Sequence, residues 1–178
     1  MTGFVSLKTL YMLHFDEHLT ARIREAGKPL LPFWRFLASY GMWGFFILIV
    51  ALSVFGIGTP ISWFVLCIPV FLTHLLTLGL QLVVRRPRPS VDVALIQMWY
   101  RTPSFPSAHS AGSMAFAVML SSVLIEQQGF GVLFVIGLIT FAFLIGVSRI
   151  MVGVHYLGDV LAGFLFGLLI TGIFLSVL

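Results

Sequence analysis

The chain has 178 residues, of which 60% are apolar and 9% charged, against roughly 45–50% and 25% in soluble domains; it is not built to be surrounded by water. The length suits one domain, and ten Lys and Arg against six Asp and Glu give a net charge of +4 from residues too scattered to form a nucleic-acid surface. Cys67 is the single cysteine, which excludes an intrachain disulfide and a cysteine-based metal site.

Along the chain, Phe4, Leu7, Tyr11, Phe15, Leu19 and Ile23 recur at helical spacing and make one apolar stripe. The opposite face carries Asp16, Glu17, Arg24 and Glu25, so the segment is expected to lie along a membrane surface. Lys8, His14, Asp16 and Glu17 interrupt the early apolar positions and no small-residue cleavage site follows, which argues against a secretory signal. Beyond it come five stretches near the length that crosses a bilayer core: Phe36 to Gly58, Ile61 to Val84, Ser107 to Ile125, Phe130 to Val147 and Tyr156 to Leu178. The expected fold is all-α, a polytopic bundle of five transmembrane helices plus the N-terminal surface helix. It forms a single membrane-embedded domain over 1–178, with 1–35 the interfacial helix and connector and 36–178 the bundle.

Alternating crossings place the hinges at Thr59 to Pro60 and Glu126 to Gly129 on one side. Every Lys and Arg falls on the other, within segments 1–35, 85–106 and 148–155. Gly163 and Gly167 in the last crossing, with Ser110, Ala111, Ser113, Ala115 and Ala117 in the third, would let helices approach closely.

Three polar clusters remain at crossing ends on the charged side: Arg85 to Pro89, Pro106 to His109, and Ser148 and Arg149 with His155 and Asp159. His155 and Asp159 are four apart, so on a helix the carboxylate can hold one ring nitrogen and leave the other nucleophilic. Ser107 and the backbone N–H groups of Ala108 and His109 would open a helix, where unpaired donors and the positive dipole end favour an anion. Arg88 and Arg149 offer planar forks for phosphate oxygens, and His109 could exchange a proton with a leaving oxygen and with water.

Pro106-Ser107-Ala108-His109 and Ser148-Arg149-x5-His155-x3-Asp159, preceded by Arg88-Pro89, resemble the second, third and first signatures of the phosphatidic acid phosphatase type 2 superfamily of membrane lipid phosphatases. The likeness runs in order over residues 81 to 159. It implies a hydrolase that needs neither metal nor cofactor, with His155 the nucleophile forming a phosphohistidine, Asp159 its orienter and His109 the general acid and base. Arg88, Ser107, Ala108, Arg149 and Gln81 would be the phosphate ligands, the alanine through its backbone donor where Gly is commonest in the motif. The first signature usually opens with Lys, and here Gln81 stands in that place, able to donate hydrogen bonds but uncharged; Arg85 or Arg86 could supply the missing cation. The compact size and the absent Lys are similar to small bacterial undecaprenyl pyrophosphate phosphatases. The resemblance thus implies a polyprenyl pyrophosphate or other lipid phosphate drawn from the bilayer, with phosphatidylglycerophosphate and lipid A phosphatases as alternatives. A multi-pass protein of the bacterial inner membrane with an extracytoplasmic site is implied too. The positive-inside count opposes that orientation. The resemblance says nothing of oligomeric state.

Blander readings stand beside these. His14 and His18 suit an interfacial face, His74 in mid-crossing is accounted for by a neutral ring bonded to a carbonyl, and Asp92 with Arg101 suits a loop pair. The segment Ser90 to Pro103, with Trp99 and Tyr100, is expected to cap the site at headgroup level. A non-catalytic lipid-phosphate carrier is the competing function that Gln81 suggests. Vanadium-dependent halide oxidation, which uses a similar anion cage, is opposed by five membrane crossings.

Overall fold

A computed structural model of the chain describes residues 7–57, 59–89, 102–128 and 131–178. Six helices follow one another: α1 (Leu7–Gly27), α2 (Leu31–Val54), α3 (Pro60–Val84), α4 (Ala108–Gln128), α5 (Val132–Met151) and α6 (Leu157–Ser176), with one 3₁₀ turn, Lys28–Leu30, between the first two. Among the described residues, five helices are long and apolar enough to cross a membrane.

Local chemistry sets the boundaries. Helix α2 begins at Leu31, earlier than the expected Phe36, because Pro32 occupies the first turn, where its missing N–H costs nothing. It ends before Gly56, whose φ of 71° reverses the chain. Thr59 caps α3 by accepting from the Ser62 N–H at 3.2 Å, and Ser62 Oγ accepts in return from the Thr59 N–H at 3.3 Å.

Helix α4 is central and packs on α3, α5 and α6; Ser110 through Ala117 are all buried. In lipid no solvent drives helices together, so close backbone approach and dispersion must do it. The small residues serve this. A Cβ on Gly163 would lie 2.6 Å from the Ser107 carbonyl oxygen, and one on Gly167 2.4 Å from that of Ala111. The hydroxyl of Ser113 bridges to α5 by donating to the Ala142 carbonyl at 3.2 Å. Outward positions such as Phe64, Phe71, Leu165 and Leu169 are large, apolar and exposed, as a lipid-facing surface requires.

The last turn of α3, the start of α4 and the α5–α6 turn meet at one end. The Ser107 N–H donates to the Asp159 carbonyl at 3.0 Å, the Ser104 N–H to the Arg86 carbonyl at 2.8 Å, and Gln81 Nε2 to the Pro106 carbonyl at 2.8 Å. Helix α1 packs against α5 and α6 at this end. Phe15 of the apolar stripe is 62% exposed, as a residue facing lipid would be, whereas Asp16, expected on the opposite polar face, turns inward with Thr20 onto the start of α6. The first N–H groups of α6 and the largely shielded Arg86 guanidinium there require acceptors, and Asp16 and Thr20 supply them.

Candidate active site

Gly153, at φ 77°, reverses the chain after α5 and delivers His155 just ahead of α6. His155 is 2% exposed. The sequence suggests that His155 and Asp159 share a helix face; in the structure α6 starts only at Leu157. The carboxylate nevertheless reaches the ring by bending back over the helix start, as acids in a first turn do. Asp159 Oδ2 accepts from the Tyr156 N–H at 3.0 Å and lies 3.5 Å from His155 Nδ1. That separation is long for a hydrogen bond, and Nδ1 has no closer partner among the described residues.

The other ring nitrogen, Nε2, is 3.1 Å from Arg88 Nη1. Arg88 is itself fixed on three sides: Nη1 donates to the Val154 carbonyl at 2.9 Å, Nε to the Thr102 carbonyl at 2.7 Å and Nη2 to the Thr102 hydroxyl at 3.1 Å. Burial holds the His155 imidazole down to about pKa 4; Asp159 opposes this, and the charges of Arg88 and Arg149 add to it. The ring is therefore neutral at pH 7. With the proton on Nδ1, toward the carboxylate, the Nε2 lone pair faces the guanidinium.

Arg149, at the end of α5, is buried; its Nη1 donates to the Ala38 carbonyl at 2.8 Å, and Nε has no partner among the described residues. Neither Arg88 nor Arg149 is within ion-pair distance of a carboxylate among the described residues, yet Arg88 lies close enough to Arg149 to act on it electrostatically. Ser107 is fully buried ahead of α4; its hydroxyl accepts from the Ser110 hydroxyl at 2.9 Å. Ala108 and His109 are the first residues of α4, so their N–H groups are among the donors that the helix leaves unpaired. The groups whose charges reach His109 include Arg149, His155, His74 and Arg88. The arginines, the imidazoles and the α4 N-terminus thus converge on one place, as the sequence reading expects.

Other residues are placed differently. Gln81 is buried, with Nε2 on the Pro106 carbonyl, so it supports the turn that opens α4. Arg85 takes a left-handed conformation at the end of α3 and its Nε donates to the Leu82 carbonyl. Arg86 turns to carboxylates, Asp159 and Asp16, at 2.8 Å each. Arg86 is thus committed to two carboxylates, and Arg85 is tied through Nε to the end of its own helix. His74 is bonded to the Val70 carbonyl at 3.0 Å, the structural arrangement foreseen for it. The Asp92–Arg101 pair and most of the expected cap, residues 90–101, lie outside the described residues. Sequence reasoning missed Asp16, Thr20 and Thr102. For Asp16 a signal existed: it sits at helical spacing from Leu19 and Thr20, at the border of the apolar stripe.

The fold and site together define a polytopic helical membrane protein with a cluster of donors and imidazoles at one end of the bundle. The chain belongs to the PAP2 superfamily, which it matches over residues 62–178. It is similar to the decaprenylphosphoryl-5-phosphoribose phosphatase of Mycolicibacterium smegmatis, 34% identical over 106 residues, which cover 57% of this chain and 52% of the relative. The chain thus spans about half the length of that curated relative. Its fold is similar to the crystal structure of Aquifex aeolicus LpxE, with 28% identity and a TM-score of 0.70, covering 89% of this chain and 93% of the other. It also resembles the transmembrane PAP2-type phosphatidylglycerolphosphate phosphatase of Bacillus subtilis, with a TM-score of 0.76 over 94% of this chain and 86% of the other. At 22% identity the latter likeness shows the fold alone.

Proposed function

We propose that this protein is a lipid phosphatase that hydrolyses a phosphate ester or pyrophosphate of a polyprenyl-type lipid within the bilayer. One observation carries the reading: Arg88 and Arg149, both without a carboxylate at ion-pair distance among the described residues, flank a neutral imidazole whose Nε2 is 3.1 Å from Arg88. Two close guanidiniums repel each other, and a buried unpaired donor is costly. An oxyanion between them relieves both.

In the reaction, His155 Nε2 attacks phosphorus while the bond from phosphorus to the leaving oxygen breaks, and His109, protonated once the bound oxyanion offsets the two guanidiniums, donates to that oxygen. For a pyrophosphate the leaving group is the lipid monophosphate. Water then attacks the phosphohistidine, giving a proton to His109 as the P–N bond breaks and inorganic phosphate departs. Asp159 offsets the positive charge that grows on the imidazole. Arg88, Arg149, Ser107 and the N–H groups of Ala108 and His109 hold the equatorial oxygens, where electrostatic stabilisation matters most. Gln81 acts one step back, fixing the turn at Pro106.

The polyprenyl class is favoured by the Mycolicibacterium relative, whose name specifies a decaprenyl-linked phosphate. The site faces the extracytoplasmic side of a bacterial inner membrane in this reading; Leu178, at the opposite end of α6, then lies inside the cell, and a reporter fused there reads out which side it occupies. Residues 1–178 act as a single unit.

The test is phosphate release by the purified protein in detergent with a chelator present, from undecaprenyl pyrophosphate, phosphatidylglycerophosphate, lipid A and phosphatidic acid, ranked by specificity constant. The expected result is a preference for the polyprenyl substrate, inhibition by vanadate and near-complete loss in a folded His155→Ala variant. Undiminished turnover in that variant refutes the mechanism. Tight vanadate binding without hydrolysis of any lipid refutes the enzyme reading in favour of a carrier.

A further inference from the structure

Helix α1 is joined to the candidate site by more than packing. Arg86 extends its fork between two carboxylates, Nη2 to Asp16 Oδ2 and Nη1 to Asp159 Oδ1, both at 2.8 Å. Its guanidinium carbon sits 4.1 Å from the centre of the Tyr156 ring, which fixes its plane. The side chains of Asp16, Arg86 and Asp159 are 17%, 12% and 0% exposed, so the triad is shielded from the screening that makes surface pairs weak.

Asp16 has a second task. Its Oδ1 accepts from the Gly158 N–H at 3.0 Å, while Thr20 Oγ1 accepts from the Leu157 N–H at 2.9 Å. These are the first N–H groups of α6, which the helix cannot pair itself. They are capped by a helix from the far end of the chain. Gly158 makes the contact possible, since a Cβ there would stand 2.7 Å from Asp16 Oδ2. Asp159 lies between this assembly and the imidazole, with Oδ1 on Arg86 and Oδ2 toward His155.

We propose that the N-terminal helix completes the active site and that Asp16 is a positioning residue, acting through Arg86 and Asp159 on His155; this rests on the function proposed above. The electrostatic logic is direct. Asp159 is shared between a guanidinium on one side and an imidazole on the other. With Asp16 present, the Arg86 charge is divided between two carboxylates, and Asp159 keeps enough negative potential to offset the charge that grows on His155. With Asp16 uncharged, Arg86 draws on Asp159 alone. The substrate-side donors Arg88 and Arg149 bond to none of the Asp16, Arg86 and Asp159 side chains, and Ser107 meets Asp159 only through its backbone N–H on the carbonyl, so phosphate binding is preserved while the chemical step slows.

The experiment uses the full chain with Asp16→Asn, a near-isosteric change that removes the charge. Two readouts are taken: steady-state kinetics on the best lipid substrate, and the ¹⁵N resonances of the His155 ring nitrogens at pH 7. The expected result is a kcat lowered on the order of 10- to 100-fold, the scale at which partners one step removed from a functional histidine act. KM and inhibition by inorganic phosphate stay within about 3-fold, the His155 resonances move, and Asp16→Glu recovers part of kcat. In an Arg86→Gln background the same Asp16 substitution has little further effect, because its route to Asp159 is already cut. Glu17→Gln, which removes a neighbouring surface charge, leaves kcat within about 2-fold. Unchanged His155 resonances in Asp16→Asn overturn the proposal, as does an Asp16 effect that persists undiminished without Arg86. Shifted resonances in a protein that hydrolyses no lipid phosphate support the positioning and sink the proposed reaction instead.

Discussion

Replacing Gly163 by Ala tests how tightly the site depends on helix packing. The added Cβ would lie 2.6 Å from the carbonyl oxygen of Ser107 and 2.9 Å from Ser110 Cβ, where ordinary contact begins at 3.4 Å. A backbone carbonyl has no rotamer to escape into, so α6 must retreat from α4 by about 0.8 Å. Overpacking of this kind costs about 1–3 kcal/mol. The retreat also separates Ser107 and the α4 N-terminus from His155 and Asp159, and misplacement near 1 Å can cost on the order of 100-fold in rate. Thermal unfolding in detergent and phosphate release are measured together, with Gly172→Ala as control, since a Cβ there meets nothing within 4 Å. Gly163→Ala is expected to melt several degrees lower and turn over at least tenfold more slowly, while Gly172→Ala matches the parent. Parent-like melting and turnover in Gly163→Ala would refute the claim that α4–α6 contact sets the site geometry.

Further predictions concern neighbouring groups. The folded pKa of His155, about 4, lies below the ordinary 6.5, so between these values the unfolded chain takes up a proton that the folded chain refuses. This contribution is fully present above pH 6.5 and is lost as pH falls toward 4, an effect on the order of 3 kcal/mol; unfolding of His155→Asn should depend less steeply on pH across that window, and equal slopes would contradict it. Gly112→Ala would bring a Cβ to 2.1 Å from His74 Cε1 and swing the ring off the Val70 carbonyl. The expected loss is about 1 kcal/mol, and it should vanish in a His74→Ala background when both are melted side by side. Arg88→Lys keeps the charge but removes the fork that ties Thr102, Val154 and His155 together; kcat/KM is expected to fall roughly 100-fold, and a drop under about threefold would show that the charge alone suffices.

What the sequence by itself determined were the features whose physics is local. A crossing needs a run of apolar residues of bilayer length, and such runs are visible without a partner, so the last four expected spans fall close to apolar helices of the structure, while the first, expected from Phe36, is part of a longer apolar helical stretch, His14–Val54. The side on which the polar clusters fall follows from counting crossings, and the small residues of α4 and α6 advertise a close interface. Long-range electrostatics was not legible. Asp16 reads as part of a solvated face because nothing near it in the chain reveals the guanidinium of Arg86 or the open N–H groups of α6 that it satisfies. For the same reason Arg86 reads as a candidate for the missing cation and Gln81 as a direct ligand, until the fold gives one to two carboxylates and the other to the Pro106 carbonyl. Which polar groups must be paired is a property of residue type; with whom they pair is decided only when distant segments are brought into the same low-dielectric place, where leaving any of them alone is the costliest option.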